Sequence, residues 1–479
     1  MTGPALALAA ALAIAPTSNT RDLPARLAAL VAQAEAKGAA IGVHVMRQRN
    51  GETLFAHHDG RPQILASNTK VLTAAAVLHV LGPNHLFRTE FLIRGPVANG
   101  ILDGDLVVIG RGDPGWRLED ARQDPGELFG DLTASLATLG IKTIAGDLVL
   151  DGRAFDDERT APGWPTDQLH LAYCAPVSAF PLNDGVVRVV ASPRRHGEPA
   201  DLDVIPRHSG YGLTGTVVTS VRGRRPTWRV DLRGGQIHVS GSVPEGGGAQ
   251  TGERSAADPP AMFGSVLRGR LSDAGITIAG TTRDARARES TTEGRVMFTH
   301  ETPIVPVIAA ILTHSNNLMA ELALRSLPVE RGLRGTRTAG TAEVLSALRE
   351  FGVDAHGIVV EDGSGLSRGN RCSARNLTTV LAAMWNSDLR NAFLESLAVS
   401  GQSGTLKNRM TGPRTAGLVR AKTGWISGVS ALSGYVRSLE GELLVFSILI
   451  HDPSGKIPNR TWKDIQDRIC TELASWDGR

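Results

Sequence analysis

The chain is short of cysteine, of aromatic side chains, of net charge and of long apolar runs, and each shortage removes a class of function. Its three cysteines, Cys174, Cys372 and Cys470, are widely separated and odd in number. No Cys-x-x-Cys or Cys/His spacing of a zinc or iron–sulfur site occurs, so no metal is expected, and at most one internal disulfide can form. Aromatics make up only 4% of the 479 residues, which points to a core of alanine, leucine and valine. The 51 basic and 48 acidic residues leave a net charge of +3, and that balance gives no ground for nucleic-acid binding. The cluster Arg222-Gly223-Arg224-Arg225 reads as a solvated turn. No run in the body of the chain reaches the length of a membrane helix, so no integral membrane segment is expected.

What is plentiful is glycine, at 54 residues, with 25 prolines and a hydrophobic content of 42%. That mixture belongs to a folded chain rich in tight turns, long enough for several domains. Ala5 to Ala15 is an apolar run followed by Pro16, Thr17 and Ser18. It has the length of a signal-peptide core, although Met1 to Pro4 carries no basic residue, so residues 1–20 are read as a possible, atypical signal segment. A buried first helix is the alternative.

Periodicity predicts a helix over residues 22–37 on the face of Leu23, Leu27, Leu30, Val31 and Ala34, then a hairpin of 40–46 and 51–55. A helix is predicted from Thr69 to Val80, stopped by Gly82-Pro83. From Phe87 the pattern changes to short strands (89–93, 106–109, 146–150) with a helix at 128–139. Further strands follow at 186–190, 215–221, 227–232 and 236–239. Residues 246–256 read as a Gly/Ser-rich linker and 283–293 as a charged loop. Helices are predicted at 261–274, 302–312, 318–327 and 336–351. A strand at 443–450 and a helix at 460–473 close the chain. The layout is α+β: a catalytic domain split by an insertion.

Three short islands carry the chemistry. Ser67-Asn68-Thr69-Lys70 sets a hydroxyl at a helix entrance, where free N–H groups favour negative charge, and a lysine one turn later on the same face. Serine becomes a nucleophile only when a base takes its proton, and a buried lysine can be that base. In Ser315-Asn316-Asn317, Ser315 can relay a proton and Asn317 can hold a substrate amide, while either Ser315 or Asn316 can equally be an ordinary helix cap. His314 reads as structural or surface. In Lys422-Thr423-Gly424, Lys422 offers charge beside Lys70 and Thr423 a donor to a carboxylate, and Gly424 permits close approach of substrate. Each island alone is a weak signal. Together, in this order, they match the Ser-x-x-Lys, Ser-Asp-Asn and Lys-Thr-Gly set of penicillin-binding proteins and class A β-lactamases, with Asn316 in place of the middle aspartate.

The resemblance reaches further. Gly104-Asp105-Leu106, Gly110-Arg111-Gly112-Asp113-Pro114 and Gly146-Asp147-Leu148 with Asp151 and Phe155 are similar to the D-alanyl-D-alanine carboxypeptidase/endopeptidase family of low-molecular-mass penicillin-binding proteins. So are Ala161-Pro162-Gly163-Trp164, Tyr173 with Ala175-Pro176, Leu182-Asn183, Glu321 and the loop Asp362 to Arg368. The resemblance implies a penicillin-binding/β-lactamase-like catalytic domain, an antiparallel sheet with a helical cluster, interrupted by two inserted strand-rich domains. The boundaries that follow are 21–88 with 290–479 for the catalytic part, 89–185 with 257–289 for the first insertion and 186–256 for the second.

It also implies a periplasmic or cell-wall-facing serine enzyme that trims or cuts peptidoglycan stem peptides through an acyl ester on Ser67, without a cofactor, and that β-lactam antibiotics acylate. Ser67, Lys70, Ser315 and Lys422 are then the catalytic set, with Asn317, Thr423, Gly424, Trp425 and Arg368 against the substrate. Trp425 stands where the family more often has a small or hydroxyl residue, and its backbone N–H would join that of Ser67 in holding the oxyanion. Arg368 would meet a diaminopimelate carboxylate, or else brace its own loop. A β-lactamase, a serine esterase and a non-catalytic wall-binding protein are the rival readings.

Overall fold

The computed structural model describes residues 22–478 apart from 119–121 and 125. The possible signal segment lies outside the described residues. Among them, no helix is long and apolar enough to cross a membrane, and all three cysteines are buried and free.

The two ends of the chain meet in one sheet. Strand Ala40–Arg47 pairs on one side with Thr53–His57 and on the other with Leu443–His451. The sheet continues through Val429–Arg437 and Val419–Ile426 to the short edge Ala398–Val399, antiparallel throughout. Central strands buried on both faces need cover on both. One cover is helix Leu23–Glu35, which buries the five residues its period predicts, together with the terminal helix Asn459–Ala474 and its fully buried Trp462. The other is a cluster built around helix Thr69–Leu81, in which every residue from Thr69 to Leu78 is buried. Such a helix is apolar all round, as an interior helix must be. Helices Ile304–Thr313, Asn317–Val329, Arg337–Glu350 and Ala374–Asn386 surround it.

Between Leu81 and Ile304 the chain forms separate sheets. Five strands run in the order Thr282–Asp284, Leu148–Asp151, Asp105–Gly110, Leu86–Arg94 and Arg295–Pro303. Helices Gly130–Thr138 and Pro259–Asp273 contribute to the same core. That core departs from the expected composition. The scarce aromatics gather there, with Trp116 and Phe129 at 4.5 Å and Phe129 and Phe263 at 5.2 Å between ring centres. A smaller group of strands between Val186 and Ser255 has a core of its own, built on Val187, Val189, Val230 and Val239.

Several sequence expectations are corrected. The linker read at 246–256 contains strand Gln250–Ser255, which pairs along Val186–Ser192. It is a polar edge strand, and pairing overrides its weak local propensity. The strand read at 215–221 is two strands, Gly212–Gly215 and Val218–Ser220, in different sheets. The loop read at 283–293 begins inside strand Thr282–Asp284. The helix read from Thr302 starts at Ile304, because Thr302 and Pro303 end the unforeseen strand Arg295–Pro303. Arg222, Arg224 and Arg225 are exposed, as a solvated turn requires.

Candidate active site

Ala66, with φ of +46°, bends the chain into a single 3₁₀ turn, Ala66–Asn68, that runs directly into helix Thr69–Leu81. Ser67 is thereby presented half-buried at the helix entrance, with Lys70 one turn below. The Lys70 Nζ donates to Ser67 Oγ at 3.2 Å, to Asn317 Oδ1 at 2.6 Å and to the Ser364 carbonyl at 2.5 Å. All three donors of the ammonium are engaged. Lys70 has no exposed surface. Burial lowers its pKa to about 8, against the opposing pull of Asp362 and Glu321.

Lys422, also without exposed surface, lies on strand Val419–Ile426 and donates to the Thr423 carbonyl at 2.8 Å. Burial first, and then the positive charge of Lys70, hold its pKa well below the ordinary lysine value. Two neighbouring buried amines cannot both be ammonium, and Lys70 has the richer set of acceptors, so the shared positive charge resides there. The strand is laced to the Ser67 turn by Asn68, whose side-chain amide donates to the Lys422 carbonyl at 3.1 Å.

Gly424 has a further reason to be glycine: an added Cβ would lie 2.9 Å from the Leu65 carbonyl oxygen and 3.1 Å from the Asn68 nitrogen. The Gly424→Ala change therefore has to open the seam between strand and turn by a few tenths of an ångström. We expect it to slow any acyl transfer to Ser67 by about tenfold or more, read by stopped-flow, with the melting temperature little changed.

The middle asparagine of the second island is the helix cap. Asn316 Oδ1 accepts from the Met319 N–H at 3.0 Å and its amide donates to Asp184 at 3.1 Å. Ser315 is thus released from capping and stands at φ +62°, a left-handed conformation costing about 1 kcal/mol for a residue with a Cβ. Asn317 bridges, with its oxygen on Lys70 and its nitrogen donating to the Tyr173 carbonyl at 2.8 Å. His314 is exposed. Asn316→Ala should lower stability by about 1 kcal/mol through loss of the cap. Denaturant unfolding checks this, and a similar loss should not follow from Ser315→Ala.

These groups open onto a cavity of about 570 Å³ whose wall includes Ser67, Ser315, Asn317, Tyr173, Arg368 and Trp425. A second, of about 330 Å³, shares Ser67, Ser315 and Trp425 and adds Thr405 and Thr423. Ser67 consequently has space on two sides, as an acyl transfer with a departing and an entering group requires. Thr423 Oγ1 donates to Thr405 Oγ1 at 2.9 Å. Trp425 is 60% exposed at the junction of the two spaces. Arg368 is exposed and donates to the Ser427 carbonyl at 2.8 Å. It braces its loop and lines the cavity at once.

Sequence reasoning gave no role to the groups behind Lys70. Asp362, fully buried, accepts from the N–H groups of Gly365 and Ser367, both at 2.7 Å, from the Asn370 amide at 2.8 Å and from the Trp164 indole at 3.0 Å. This wraps residues 362–370 into a tightly bonded loop against Ala66 and Lys70. Gly365, at φ +82°, sits where a Cβ would fall 1.9 Å from the Ala66 carbonyl oxygen. Glu321, also fully buried, accepts from the Ser364 N–H at 2.8 Å. The glycine-bearing loop was visible in the sequence. Glu321 and Tyr173 stand among the residues that carry the resemblance, but no local pattern gives them a role, and their approach to Ser364 and Asn317 is made by tertiary folding.

The sequence pattern of the D-Ala-D-Ala carboxypeptidase 3 (S13) family matches residues 23–473. A D-alanyl-D-alanine carboxypeptidase of Actinomadura sp. is 35% identical over 99% of this chain and 89% of its own length. The D-alanyl-D-alanine carboxypeptidase DacB of Haemophilus influenzae is 25% identical over 87% of each chain. The crystal structure of penicillin binding protein 4 (dacB) from H. influenzae superposes with a TM-score of 0.79, covering 94% of this chain and 99% of that one at 23% identity. With the pattern spanning nearly the whole chain, this protein belongs to the D-Ala-D-Ala carboxypeptidase 3 (S13) family.

Proposed function

We propose that the chain is a penicillin-sensitive serine D-alanyl-D-alanine carboxypeptidase/endopeptidase that acts on peptidoglycan stem peptides in the periplasm or at the cell wall. The observation that carries this reading is the buried Lys70 amine, which joins Ser67 Oγ to Asn317 Oδ1 beside an open cavity. The neutral form of Lys70 takes the proton of Ser67, and the Ser67 oxygen bonds to the carbonyl carbon of the penultimate D-alanine. The N–H groups of Ser67 and Trp425 hold the oxyanion. As the carbon–nitrogen bond breaks, the proton passes from Lys70 by way of Ser315 and Lys422 to the leaving amine. Water then cleaves the ester, returning Ser67. Asn317, Thr423 and Gly424 hold the peptide, and Trp425 and Arg368 shape the far wall. A β-lactam carbonyl follows the same course but leaves a long-lived ester.

The division into a catalytic part, 21–88 with 290–479, and insertions 89–185 with 257–289 and 186–256 belongs to the same proposal. The separate small core between Val187 and Val243 supports the second insertion, while the pairing of Arg295–Pro303 with Leu86–Arg94 in the five-stranded sheet favours a first insertion that runs to about residue 303 rather than 289. Defined stem pentapeptides and crosslinked dimers, incubated with the protein and resolved by chromatography, test the reaction. Release of D-alanine from the first or of monomers from the second is expected. Rapid turnover of penicillin with neither product would make the chain a β-lactamase instead.

A further inference from the structure

Below the catalytic amine lies a second layer of charge that the scheme above does not use. Glu321 sits on helix Asn317–Val329, one turn after Asn317, and has 2% exposure. Its carboxyl accepts the Ser364 N–H at 2.8 Å, while the carbonyl of the same residue, Ser364, accepts from Lys70 Nζ at 2.5 Å. A single residue, held from both sides, therefore separates the carboxyl from the amine. Asp362 faces Glu321 from the loop, held by its four donors. Both carboxyls act on Lys70 in the direction that favours its ammonium form.

Few other charges reach this spot. Helix Thr69–Leu81 contributes Lys70 alone, with Lys422 beyond it. Helix Ile304–Thr313 carries no ionisable side chain. Arg325, one turn along from Glu321, is turned to Asp156 and the Glu158 carbonyl. Arg337, from the helix packed alongside, is bound to Glu158. Asp184, from the turn at 183–185, is held by Asn316 and Arg117.

We propose that Glu321 is a positioning residue of the acylation step: braced beside Asp362, it holds the Ser364 backbone against Lys70 and supplies negative charge that steadies the protonated lysine. Burial, with Asp362 adding to it, raises the Glu321 pKa to about 7. As pH climbs through neutrality Glu321 gains its charge, and Lys70 becomes harder to deprotonate just where it must begin to act. The rising limb of acylation against pH is then spread wider than one proton would make it. This inference rests on the reading of Ser67 and Lys70 given above.

The test is the rate of penicillin acylation followed across the pH range for the parent chain, Glu321→Gln and Glu321→Leu. Glutamine can still accept the Ser364 N–H but carries no charge. Its limb should move toward acid by about one pH unit and steepen, as expected for loss of one nearby opposite charge. Leucine removes the hydrogen bond as well, so its plateau rate should also fall. A Glu321→Gln limb that coincides with the parent's overturns the proposal and leaves Glu321 a structural residue. Should the variants not fold, infrared titration of the parent reads the same group directly. A buried protonated carboxyl that ionises near neutrality is expected, and its absence overturns the proposal. If penicillin does not acylate the parent at all, it is the catalytic reading that fails.

Discussion

Replacing Ser67 by alanine should abolish both the release of D-alanine and the formation of a penicillin ester, with a loss of about 10⁴-fold or more. The expectation follows from the position of the hydroxyl. Of the three acceptors of Lys70 Nζ, Ser67 Oγ alone is a hydroxyl, and the other two, Asn317 Oδ1 and the Ser364 carbonyl, cannot form an ester. The change removes one oxygen from a half-buried residue and leaves intact the Asn68–Lys422 lacing, the turn at Ala66 and the helix below. Residual hydrolysis by Ser67→Ala close to the parent rate would mean that another group is the nucleophile. A circular-dichroism spectrum and melting temperature matching the parent separate loss of chemistry from loss of fold.

The second large effect belongs to Lys70. Arginine at this position keeps the charge but cannot surrender its proton near neutrality, so Lys70→Arg should lose about 10³-fold or more in acylation. In the parent, the proton must leave Lys70 before it can accept one from Ser67. Its pKa is lowered to about 8 by burial, so the fraction in the reactive form falls with falling pH. Acylation should decline toward acid by close to tenfold per pH unit once well below that value, and level off above it. A profile that is flat from acid to alkaline pH, or that rises toward acid, contradicts the role given to Lys70.

Much of this site is legible in the sequence. Ser67, Lys70, Ser315, Asn317 and Lys422 come together as the three islands imply, because spacing along one helix and the order of islands are local facts. The helix from Leu23 and the terminal strand and helix were equally plain, since each carries an apolar period on its own. What stayed hidden was made by partners distant in the chain. Strand Gln250–Ser255 is polar and becomes a strand only against Val186–Ser192. Strand Arg295–Pro303 is half-exposed, with no clean alternation, and is defined by its pairing with Leu86–Arg94.

The same logic governs the site. The sequence alone does not tell Asn316 and Ser315 apart as caps, because Asn316 is also held by Asp184, brought from the middle of the insertion. Gly424 looked like room for a substrate and is in addition the seam between strand and nucleophile turn. Glu321 shows in the sequence only through the resemblance, with no role attached, yet its carboxyl is two hydrogen bonds from the Lys70 amine. Trp164 ties the insertion to that same layer through Asp362, which gives the long interruption of the catalytic part a physical connection to its active centre.

The central claim, that Ser67 is an acylated nucleophile, is tested most directly by mass spectrometry of the parent protein after brief exposure to penicillin. The intact chain should gain the mass of one penicillin molecule, and the proteolytic peptide containing Ala66-Ser67-Asn68 should carry it. A folded protein with no added mass, or with the adduct on any other residue, would contradict the account.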